Sequence, residues 1–436
     1  MRTEFDPALL AEPAMATSES VIRKCVHCGF CNATCPTYVL LGDELDSPRG
    51  RIYLMKEMLE NQRSPSAEVV RHIDRCLSCL SCMTTCPSGV NYKHLVDHVR
   101  VYIEERYRRP LVEKAIRALL AAVLPHPARF RASLRLASLA RPLAPVLARI
   151  PWLGPLAAML RLAPRRLPPS PPAKQAAGDG SAGRVILLQG CAEPVLQPSV
   201  REATMRLLAR LHYRVSFADG EVCCGALVHH LGREADSLAA ARRNVDAWTR
   251  EIESGDVAAI LVTASGCGTA IKDYGFALRG DPIYARKAAA VSALTRDITE
   301  FLAEVSPASF GNAGLRVAYH PACSLQHGQK VTTAPVALLV KAGFYVSQPD
   351  EGHLCCGSAG VYNILQSEIA DQLGARKVAN LQALGPDVIA TGNIGCAVQI
   401  ARMTDIPVVH TVELLDWASG GPVPAALASS RTGPPA

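Results

Sequence analysis

The sequence predicts an α + α/β protein, in which a small helical part is followed by two copies of an α/β unit. In the first 109 residues, eight cysteines form two tight groups, and apolar residues at helical spacing lie between the groups. After residue 183, short apolar runs such as RVILLQ and DVIAT alternate with helical segments, which is typical of α/β folds. One cysteine pattern occurs twice there, offset by 132 residues, so the α/β part contains a repeat.

Length and composition exclude several classes of protein. A chain of 436 residues is long enough for two or three domains with cores of their own. The start, MRTEFDPALLAEPA, has acidic residues and lacks an apolar stretch, so we expect no secretory signal and a cytoplasmic protein. In a reducing compartment, 16 cysteines indicate metal binding or redox chemistry instead of disulfides. No apolar run approaches the roughly 18 residues of a membrane-spanning helix.

These patterns predict four regions. Residues 1–109 form the helical part, and residues 110–183 form a basic, Pro-rich helical bridge that ends in the linker PRRLPPSPPAKQAAGDGSAG. Residues 184–310 and 311–436 form the two cysteine-rich α/β domains. The linker contains a GxGxxG pattern at Gly178, Gly180 and Gly183. It precedes a strand-like run instead of following one, so we interpret this nucleotide-binding match as chance.

The first cysteines have the spacing of bacterial [4Fe–4S] ligands. CVHCGFCNATCP and CLSCLSCMTTCP each place three close cysteines before a fourth that precedes proline. When two clusters are present, the fourth cysteine of each run binds the other cluster. The predicted ligand sets are Cys25, Cys28, Cys31 and Cys86 for cluster 1, and Cys76, Cys79, Cys82 and Cys35 for cluster 2. Four thiolates also suit zinc, but zinc motifs usually pair two CxxC units across a longer gap.

The repeat carries a second set of cysteines. In each copy a single cysteine is followed after 32 positions by Cys-Cys-Gly and then by a later cysteine in a Gly-rich segment. Because the single cysteines follow strand-like runs, we expect each set to converge at the carboxyl end of a sheet. The sets hold a further cluster or line a redox or quinone site, unless they are buried small residues. They are Cys191, Cys223, Cys224 and Cys267, and Cys323, Cys355, Cys356 and Cys396.

Histidines and basic residues near these motifs have two interpretations each. Five histidines lie near the repeat cysteines, and each is either a hydrogen-bonded structural residue or a ligand or proton donor. They are His229, His230, His320, His327 and His353, of which His320 in HPAC is the first candidate. From Lys114 to Gly178 there are eleven Lys or Arg and no Asp or Glu. This stretch either meets anionic lipid through amphipathic helices or packs on a partner subunit.

The combination of these motifs resembles a known family. CVHCGFCNATCPTYVLLGDELDSPRGRIYL, DRCLSCLSCMTTCPSGVNY, GCAEPVLQPSV, TASGCG and HLCCGSAGVY together resemble the iron–sulfur subunits of bacterial glycolate oxidase. The resemblance covers nearly the whole chain and is weakest in the Pro-rich linker. The chain is also similar to the iron–sulfur subunits of anaerobic glycerol 3-phosphate dehydrogenase and of lactate-utilisation enzymes, and more distantly to a heterodisulfide reductase subunit.

The resemblance implies a fold and a division of labour. It implies an α-helical ferredoxin fold for residues 1–109 and two cysteine-rich domains after the bridge. It also implies that flavin-binding partner subunits oxidise glycolate to glyoxylate, with FAD on those subunits and not on this chain. The chain departs from the fuller heterodisulfide reductase motif at Ala264 and Asn393, where that motif has cysteines.

The expected function is therefore electron transfer within a glycolate oxidase complex. Two [4Fe–4S] clusters would pass electrons from a flavin subunit towards a membrane acceptor, and the chain would have no catalytic residue of its own. We expect peripheral contact with the cytoplasmic face of the inner membrane, a quinone acceptor and no nucleic-acid partner. The alternatives are a subunit of a related glycerol 3-phosphate or lactate dehydrogenase, a heterodisulfide-reductase-like catalytic subunit, and a zinc-binding interaction module.

Overall fold

The N-terminal part is built from helices joined by short loops. The computed structural model describes residues 1–164, 166–170, 177–305, 311 and 314–430. The helices of residues 1–109 are α1 (Pro13–Lys24), α2 (Pro36–Leu41), α3 (Pro48–Glu60), α4 (Ala67–Asp74), α5 (Ser81–Thr85) and α6 (Tyr92–Arg106), with 3-10 turns at Leu9–Ala11, Phe30–Asn32 and Glu44–Asp46.

Helix α3 shows how the sequence determines these elements. It begins where Pro48 follows Ser47, whose hydroxyl accepts a hydrogen bond from the Gly50 amide at 3.0 Å. Its buried Ile52, Met55 and Leu59 lie three or four residues apart and face the helical core. The predicted helix between the two cysteine groups is therefore present.

The basic bridge is helical and rests on the repeats. It contains α7 (Leu111–Val123), α8 (Pro127–Ala140), α9 (Ala144–Leu147) and α10 (Gly154–Leu162), with 3-10 turns at Arg141–Leu143 and Pro151–Leu153. Prolines stand at or near the first position of these helices, which explains why the segment is broken into short pieces. Leu120 of α7 packs with Leu231 and Ile364, one from each repeat. The predicted linker lies partly outside the described residues, at 165 and 171–176.

The first repeat is a parallel sheet covered by helices. Its four strands lie in the order second, first, third and fourth along the chain. Gly178, Gly180 and Gly183 lead into the first strand instead of following a strand, and a side chain at Gly178 would clash with the Tyr213 carbonyl. This agrees with a chance GxGxxG match. The elements are β1 (Gly183–Leu187), α11 (Glu193–Leu196), α12 (Ser199–Arg210), β2 (Tyr213–Ser216), α13 (Ala226–His230), α14 (Glu234–Glu253), β3 (Ala259–Val262), α15 (Ser265–Ile271), α16 (Tyr274–Ala277), α17 (Ala285–Leu294), β4 (Thr295–Asp297) and α18 (Ile298–Val305).

The second repeat has the same topology. Its four strands again lie in the order second, first, third and fourth along the chain, with parallel pairing throughout. A π-helix at Ser324–Gln329 follows its first cysteine. The elements are β5 (Arg316–His320), α19 (Ala334–Lys341), β6 (Tyr345–Ser347), α20 (Tyr362–Leu365), α21 (Ser367–Gln382), β7 (Val388–Thr391), α22 (Ile394–Ala401), β8 (Val408–His410), α23 (Thr411–Ala418) and α24 (Ala425–Ser430). The predicted α + α/β fold class is confirmed.

The two repeats share one apolar core. Val185 of β1 and Val317 of β5 are buried in the same cluster, together with residues of α12 and α23. Polar contacts cross the same boundary, such as His410 Nε2 to the Thr263 carbonyl at 2.9 Å. Ser265 and Ser324, each within a few residues of a repeat cysteine, join their hydroxyls at 2.7 Å. The two sheets are therefore held in a fixed relation near their cysteine loops.

The helical N-terminal part packs on both repeats. Asp97 of α6 pairs with His229 of the first repeat at 3.2 Å. Thr84 Oγ1 is 2.8 Å from His327 Nδ1 of the second repeat. The N-terminal cysteine loops therefore lie against the α/β part instead of on a separate lobe. None of the described helices is long and apolar enough to cross a membrane.

Candidate iron–sulfur and cysteine sites

The N-terminal cysteines line two adjoining cavities. The first cavity is lined by four cysteines from the predicted set of cluster 1 and also by Cys82. The second is lined by the four cysteines of the predicted set of cluster 2. In both cavities the fourth cysteine of one motif faces the first three of the other. The sets are Cys25, Cys28, Cys31 and Cys86 around the first cavity, and Cys35, Cys76, Cys79 and Cys82 around the second.

The two cysteine loops have matching backbone conformations. His27 and Gly29 have positive φ in the first loop, and Ser78 and Leu80 have positive φ at the same positions of the second. Left-handed residues are costly for side chains other than glycine, so they persist where the surroundings fix the loop. Here they curve each loop so that its cysteines face the cavity. This cradle and the all-thiolate donor set fit a [4Fe–4S] cluster in each cavity.

The two cavities differ in their exposure to solvent. Cys28 is exposed, and its neighbours Val26 and Phe30 are each 66% exposed. Cys76 and Cys79 of the second cavity are buried. Cys82 and Tyr92 line both cavities, so the two are in direct contact. Burial raises the pKa of the Cys31 thiol to about 11, so this thiol is protonated at neutral pH unless a metal binds it.

A fully buried cation stands beside the second cavity. Arg51 is 1% exposed, and its guanidinium contacts Cys35 Sγ at 3.8 Å and the Asp46 carboxylate at 3.1 Å. Asp46 also accepts hydrogen bonds from Arg75 at 2.8 Å and His72 at 3.0 Å. The pKa of Arg51 is raised by the thiols and the carboxylate around it, despite its burial. A permanent positive charge beside thiolates favours added electrons at this site.

Further donors surround Cys76. Arg100 donates to the Cys76 carbonyl at 2.6 Å and to the Ser78 hydroxyl at 2.6 Å. The Tyr92 hydroxyl donates to Cys76 Sγ at 3.8 Å. Hydrogen bonds of this kind to a ligand sulfur fix the ligand and make reduction easier.

The first repeat brings its four predicted cysteines together. Cys191 follows β1 and Cys267 lies just after β3, at the carboxyl ends of neighbouring strands. The Sγ atoms of Cys191 and Cys223 are 3.5 Å apart, and Cys224 hydrogen-bonds Cys267. Hydrogen bonds with Cys191 and Cys224 lower the pKa of Cys223.

The second repeat also gathers its four predicted cysteines, with an added histidine. Cys323 Sγ and Cys355 Sγ are 3.8 Å apart, and Cys355 hydrogen-bonds Cys356. One donor atom each from His320, Cys356 and Cys396 lie within 4.8 Å of one another. Hydrogen bonds from Cys355 and Cys396, with a smaller effect of His320, lower the pKa of Cys356.

The predicted histidines have different surroundings. His229 pairs with Asp97, which raises the pKa of His229 despite its burial. Burial lowers the pKa of His230 to about 3. His327 Nε2 lies 3.1 Å from the His353 carbonyl, so these two residues join loops of the second repeat. His320 alone of the five lies against repeat cysteines and has no oxygen or nitrogen hydrogen-bond partner among the described residues.

Sequence reasoning missed three buried charged residues near these sites. Arg51 lies beside the N-terminal cavities, and Lys377, which is 2% exposed, lies near the cysteines of the second repeat. Glu193 accepts a hydrogen bond from Thr263 at 2.8 Å near the first repeat, and burial raises the Glu193 pKa to about 8. Of these three residues, only Glu193 could have been noticed from the sequence, because it lies two residues after Cys191. Folding brings Arg51 and Lys377 to the cysteines from other helices.

The bridge helices expose apolar side chains and enclose an apolar cavity. A cavity of about 440 Å³ lies between α7, α8, α10 and both repeats, with Ser358 and Asn363 among its few polar lining residues. Ser358 follows the Cys-Cys-Gly segment of the second repeat directly. The large apolar side chains that the bridge exposes are Leu111, Val112, Leu119, Leu136, Leu139, Leu143, Val146 and Trp152.

Comparisons with known families agree with the two kinds of cysteine site. Residues 21–90 match the family described as 4Fe-4S dicluster domain. Residues 185–272 and 317–401 each match the family described as cysteine-rich domain. These matched segments contain all sixteen cysteines and identify an iron–sulfur protein.

Similar proteins span nearly the whole chain. The glycolate oxidase iron-sulfur subunit of Escherichia coli (strain K12) is 41% identical over 96% of this chain and 99% of its own length. The probable glycolate oxidase iron-sulfur subunit of Bacillus subtilis (strain 168) is 30% identical over 92% and 95%. Lactate utilization protein A of Bacillus licheniformis is 31% identical but covers only 53% of this chain.

One solved structure has a similar fold. A crystal structure of a hypothetical protein from Helicobacter pylori superimposes with a TM-score of 0.57 and 10% sequence identity. The match covers 96% of this chain and 74% of that protein. At this identity the likeness concerns the fold alone.

Proposed function

Because the chain belongs to the family of glycolate oxidase iron–sulfur subunits, we propose that it carries electrons within a complex that oxidises glycolate to glyoxylate. Oxidation of the glycolate hydroxyl carbon releases two electrons and two protons. Flavin-bearing partner subunits take up these electrons and hold the FAD. This chain passes them on and does not oxidise glycolate alone.

Two [4Fe–4S] clusters with crossed ligands are the cofactors of this proposal. The observation that carries it is the pairing of thiols around two adjoining cavities, where Cys86 faces the first motif and Cys35 faces the second. Such clusters would supply one-electron carriers at these positions. The chain's own residues orient the cysteines, exclude water from the second cavity and place Arg51 beside it.

The order of the sites supports a direction for electron transfer. The first cavity lies at the surface around Cys28, and the second is buried behind it. Cys79 of the second cavity packs in one apolar cluster with Cys355 and Cys323 of the second repeat. We therefore place the flavin-bearing donor at the Cys28 face and the acceptor towards the second repeat.

A quinone at the membrane is the acceptor in this proposal. Quinones combine an apolar tail with a polar head, and the bridge cavity is apolar with Ser358 and Asn363 near the second repeat. The exposed leucines of the bridge, with its eleven Lys or Arg and no Asp or Glu, support peripheral contact with an anionic lipid surface. In this proposal residues 1–109 contact the electron donor and residues 110–183 contact the membrane. Residues 184–310 and 311–436 form the two cysteine-rich domains.

The crossed ligands can be tested with one substitution on each side. Cys35→Ser should disturb the cluster bound by Cys76, Cys79 and Cys82 and leave the other more intact. Cys86→Ser should do the reverse. Electron paramagnetic resonance of the reduced full chain, prepared without air, distinguishes the two clusters. If each substitution removed the cluster of its own motif instead, crossed ligation would be wrong.

A further inference from the structure

The second repeat contains a buried group of donors that the proposed electron-transfer function does not use. His320 is 1% exposed at the end of β5, and no oxygen or nitrogen of the described chain hydrogen-bonds either ring nitrogen. Leaving a buried polar group without such partners is unfavourable, so the ring calls for a partner of another kind. The ring faces the thiol of Cys356.

The geometry of the donors fits a single metal ion. A nitrogen of His320 and the sulfurs of Cys356 and Cys396 lie within 4.8 Å of one another, and all three residues are buried. Tetrahedral zinc holds sulfur at about 2.3 Å and imidazole nitrogen at about 2.0 Å, which places neighbouring ligands about 3.5 to 4 Å apart. A cubane spreads its thiolates over separate irons, one at each corner, so its ligands lie farther apart. The compact group therefore suits one ion better than a cubane.

The charge around the group also suits a metal with several thiolates. Lys377 is 2% exposed, donates to the Glu351 carbonyl at 2.7 Å and forms no salt bridge within the described part of the chain. Burial lowers the pKa of Lys377, and its interactions with Cys356, Cys355, the Glu351 carboxylate and Cys323 oppose that effect. A divalent ion with three thiolates and one neutral imidazole has a net charge of −1, which this ammonium balances.

The ligand sulfur has a supporting hydrogen bond as well. The Asn393 amide donates to Cys396 Sγ at 3.4 Å. Asn393 therefore orients a proposed ligand sulfur, and His320 adds a nitrogen donor to the sulfurs of Cys356 and Cys396.

The first repeat differs at the corresponding positions. Leu188 stands three residues before Cys191, as His320 stands three residues before Cys323, and Leu188 is buried among apolar side chains. Helix α14 faces the cysteines of this repeat with Asn244, which donates to the Cys223 carbonyl at 3.3 Å. The repeats therefore share cysteines but not the histidine or the buried ammonium.

We propose that the second repeat alone binds one thiophilic divalent ion of the zinc class, through His320, Cys356 and Cys396, with Cys355, which hydrogen-bonds Cys356, as the fourth donor. On binding, the cysteine thiols release their protons to solvent and the imidazole binds as the neutral base. The ion is redox-inert and connects β5, the Cys-Cys-Gly loop and the start of α22. It thereby fixes the loop that faces Cys79.

The test compares metal content in the full chain purified without air. The wild type should contain about one zinc per chain in addition to its iron. His320→Leu, which copies the first repeat, should lose that zinc and keep the iron and the cluster spectrum. Leu188→Met, at the corresponding position of the first repeat, should keep both. X-ray absorption at the zinc edge should show one nitrogen and three sulfur ligands.

A conservative variant separates loss of the ligand from loss of the fold. His320→Cys should keep the zinc and change its ligands to sulfur only. The proposal is overturned if wild type holds no zinc, if its zinc shell lacks nitrogen, or if His320→Leu keeps the metal. Several irons per chain beyond the two cubanes, bound without nitrogen, would equally overturn it. Iron content and the cubane spectrum report on the proposed function separately.

Discussion

Arg51 and Tyr92 show how single residues set the properties of the N-terminal cysteine sites. Both contact cysteines of the second cavity, Arg51 at Cys35 Sγ and Tyr92 at Cys76 Sγ. Each donates hydrogen to sulfur in a buried, weakly polarisable environment, where such bonds have their largest effect. We therefore expect the cluster of the second cavity to have the higher reduction potential.

Tyr92→Phe tests this expectation at one atom. Removing the hydroxyl should lower the potential of the cluster bound by Cys76 by about 20 to 60 mV, equivalent to about 0.5 to 1.4 kcal/mol for a one-electron couple. Redox titration followed by electron paramagnetic resonance measures both clusters. Tyr102→Phe is the control, because the Tyr102 hydroxyl donates to the Arg63 carbonyl at 3.2 Å. Equal potentials in the Tyr92→Phe variant and the wild type would contradict the assigned role of the hydroxyl.

His410 links stability to pH. Its Nδ1 accepts from the Val412 amide at 3.1 Å, its Nε2 donates to the Thr263 carbonyl, and burial lowers its pKa to about 4. Because the folded pKa lies below the ordinary 6.5, the contribution to stability is complete above pH 6.5 and is lost as pH falls towards 4. Lowering the pH from about 7.5 to 5.0 should therefore reduce the free energy of unfolding by about 2 kcal/mol through His410.

Urea unfolding at these two pH values measures that loss. His410→Asn keeps an acceptor for the Val412 amide and removes the titrating group, so its stability should fall about 2 kcal/mol less than that of the wild type. His212→Asn, at an exposed histidine 3.0 Å from Asp179, should show the wild-type dependence. A His410→Asn variant with the wild-type dependence would assign the acid sensitivity to other groups.

Some of the site residues could be predicted from the sequence and others could not. The cysteines could be found from spacing alone because a cluster needs several thiols close together along the chain. His320 could be singled out because it lies three residues before Cys323, but only the fold shows that it lacks an oxygen or nitrogen hydrogen-bond partner among the described residues. Lys377 and Arg51 could not be found, since each comes from a helix whose sequence gives no sign of what it faces.

At the scale of elements, the loop from Cys25 to Cys31 is the proposed contact with the flavin-bearing subunits. Val26 and Phe30 are exposed beside Cys28, and such apolar residues contribute strongly when an interface buries them. Phe30→Glu should weaken binding of those subunits by about tenfold or more while the chain keeps its visible spectrum. Tyr345→Glu, at a residue 69% exposed on β6, should have little effect. Unchanged affinity in Phe30→Glu would place the donor elsewhere.

The bridge helices are the proposed contact with lipid. Leu136 and Leu139 of α8 are 69% and 80% exposed, and replacing both with Glu should abolish most binding to vesicles that contain anionic lipid. Ile283→Glu, an equally exposed apolar site in the first repeat, should bind as the wild type does. Cosedimentation measures both. If the α8 variant still bound vesicles but lost the flavin-bearing subunits, the bridge would be a partner surface instead.

The positions of elements were partly predictable from the sequence. Helix α3 and the strands β1 and β5 follow from apolar spacing and from runs that precede the cysteines. The bridge was harder, because its prolines predict broken helices but not the surface against which they pack. Leu120 shows the reason: its partners Leu231 and Ile364 come from two distant parts of the chain.

At the scale of the whole molecule, three cysteine sites lie in succession. The exposed first cavity adjoins the buried second cavity, which packs against the cysteines of the second repeat. The first repeat contacts the same N-terminal part through Asp97 and His229, and the second through Thr84 and His327. The sequence predicted the sites and the repeat. It could not predict their succession, because that depends on how the helical part is seated on both sheets.

The central claim is that glycolate electrons reach the clusters of this chain only through flavin-bearing partners. The most direct test is electron paramagnetic resonance of the full chain, without air, after glycolate is added in the presence or absence of those subunits. We predict signals of reduced [4Fe–4S] clusters in the complex and none in the isolated chain, which should be brown and free of flavin. Reduction or glycolate turnover by the isolated chain, or clusters that stay oxidised in the complex, would contradict the account.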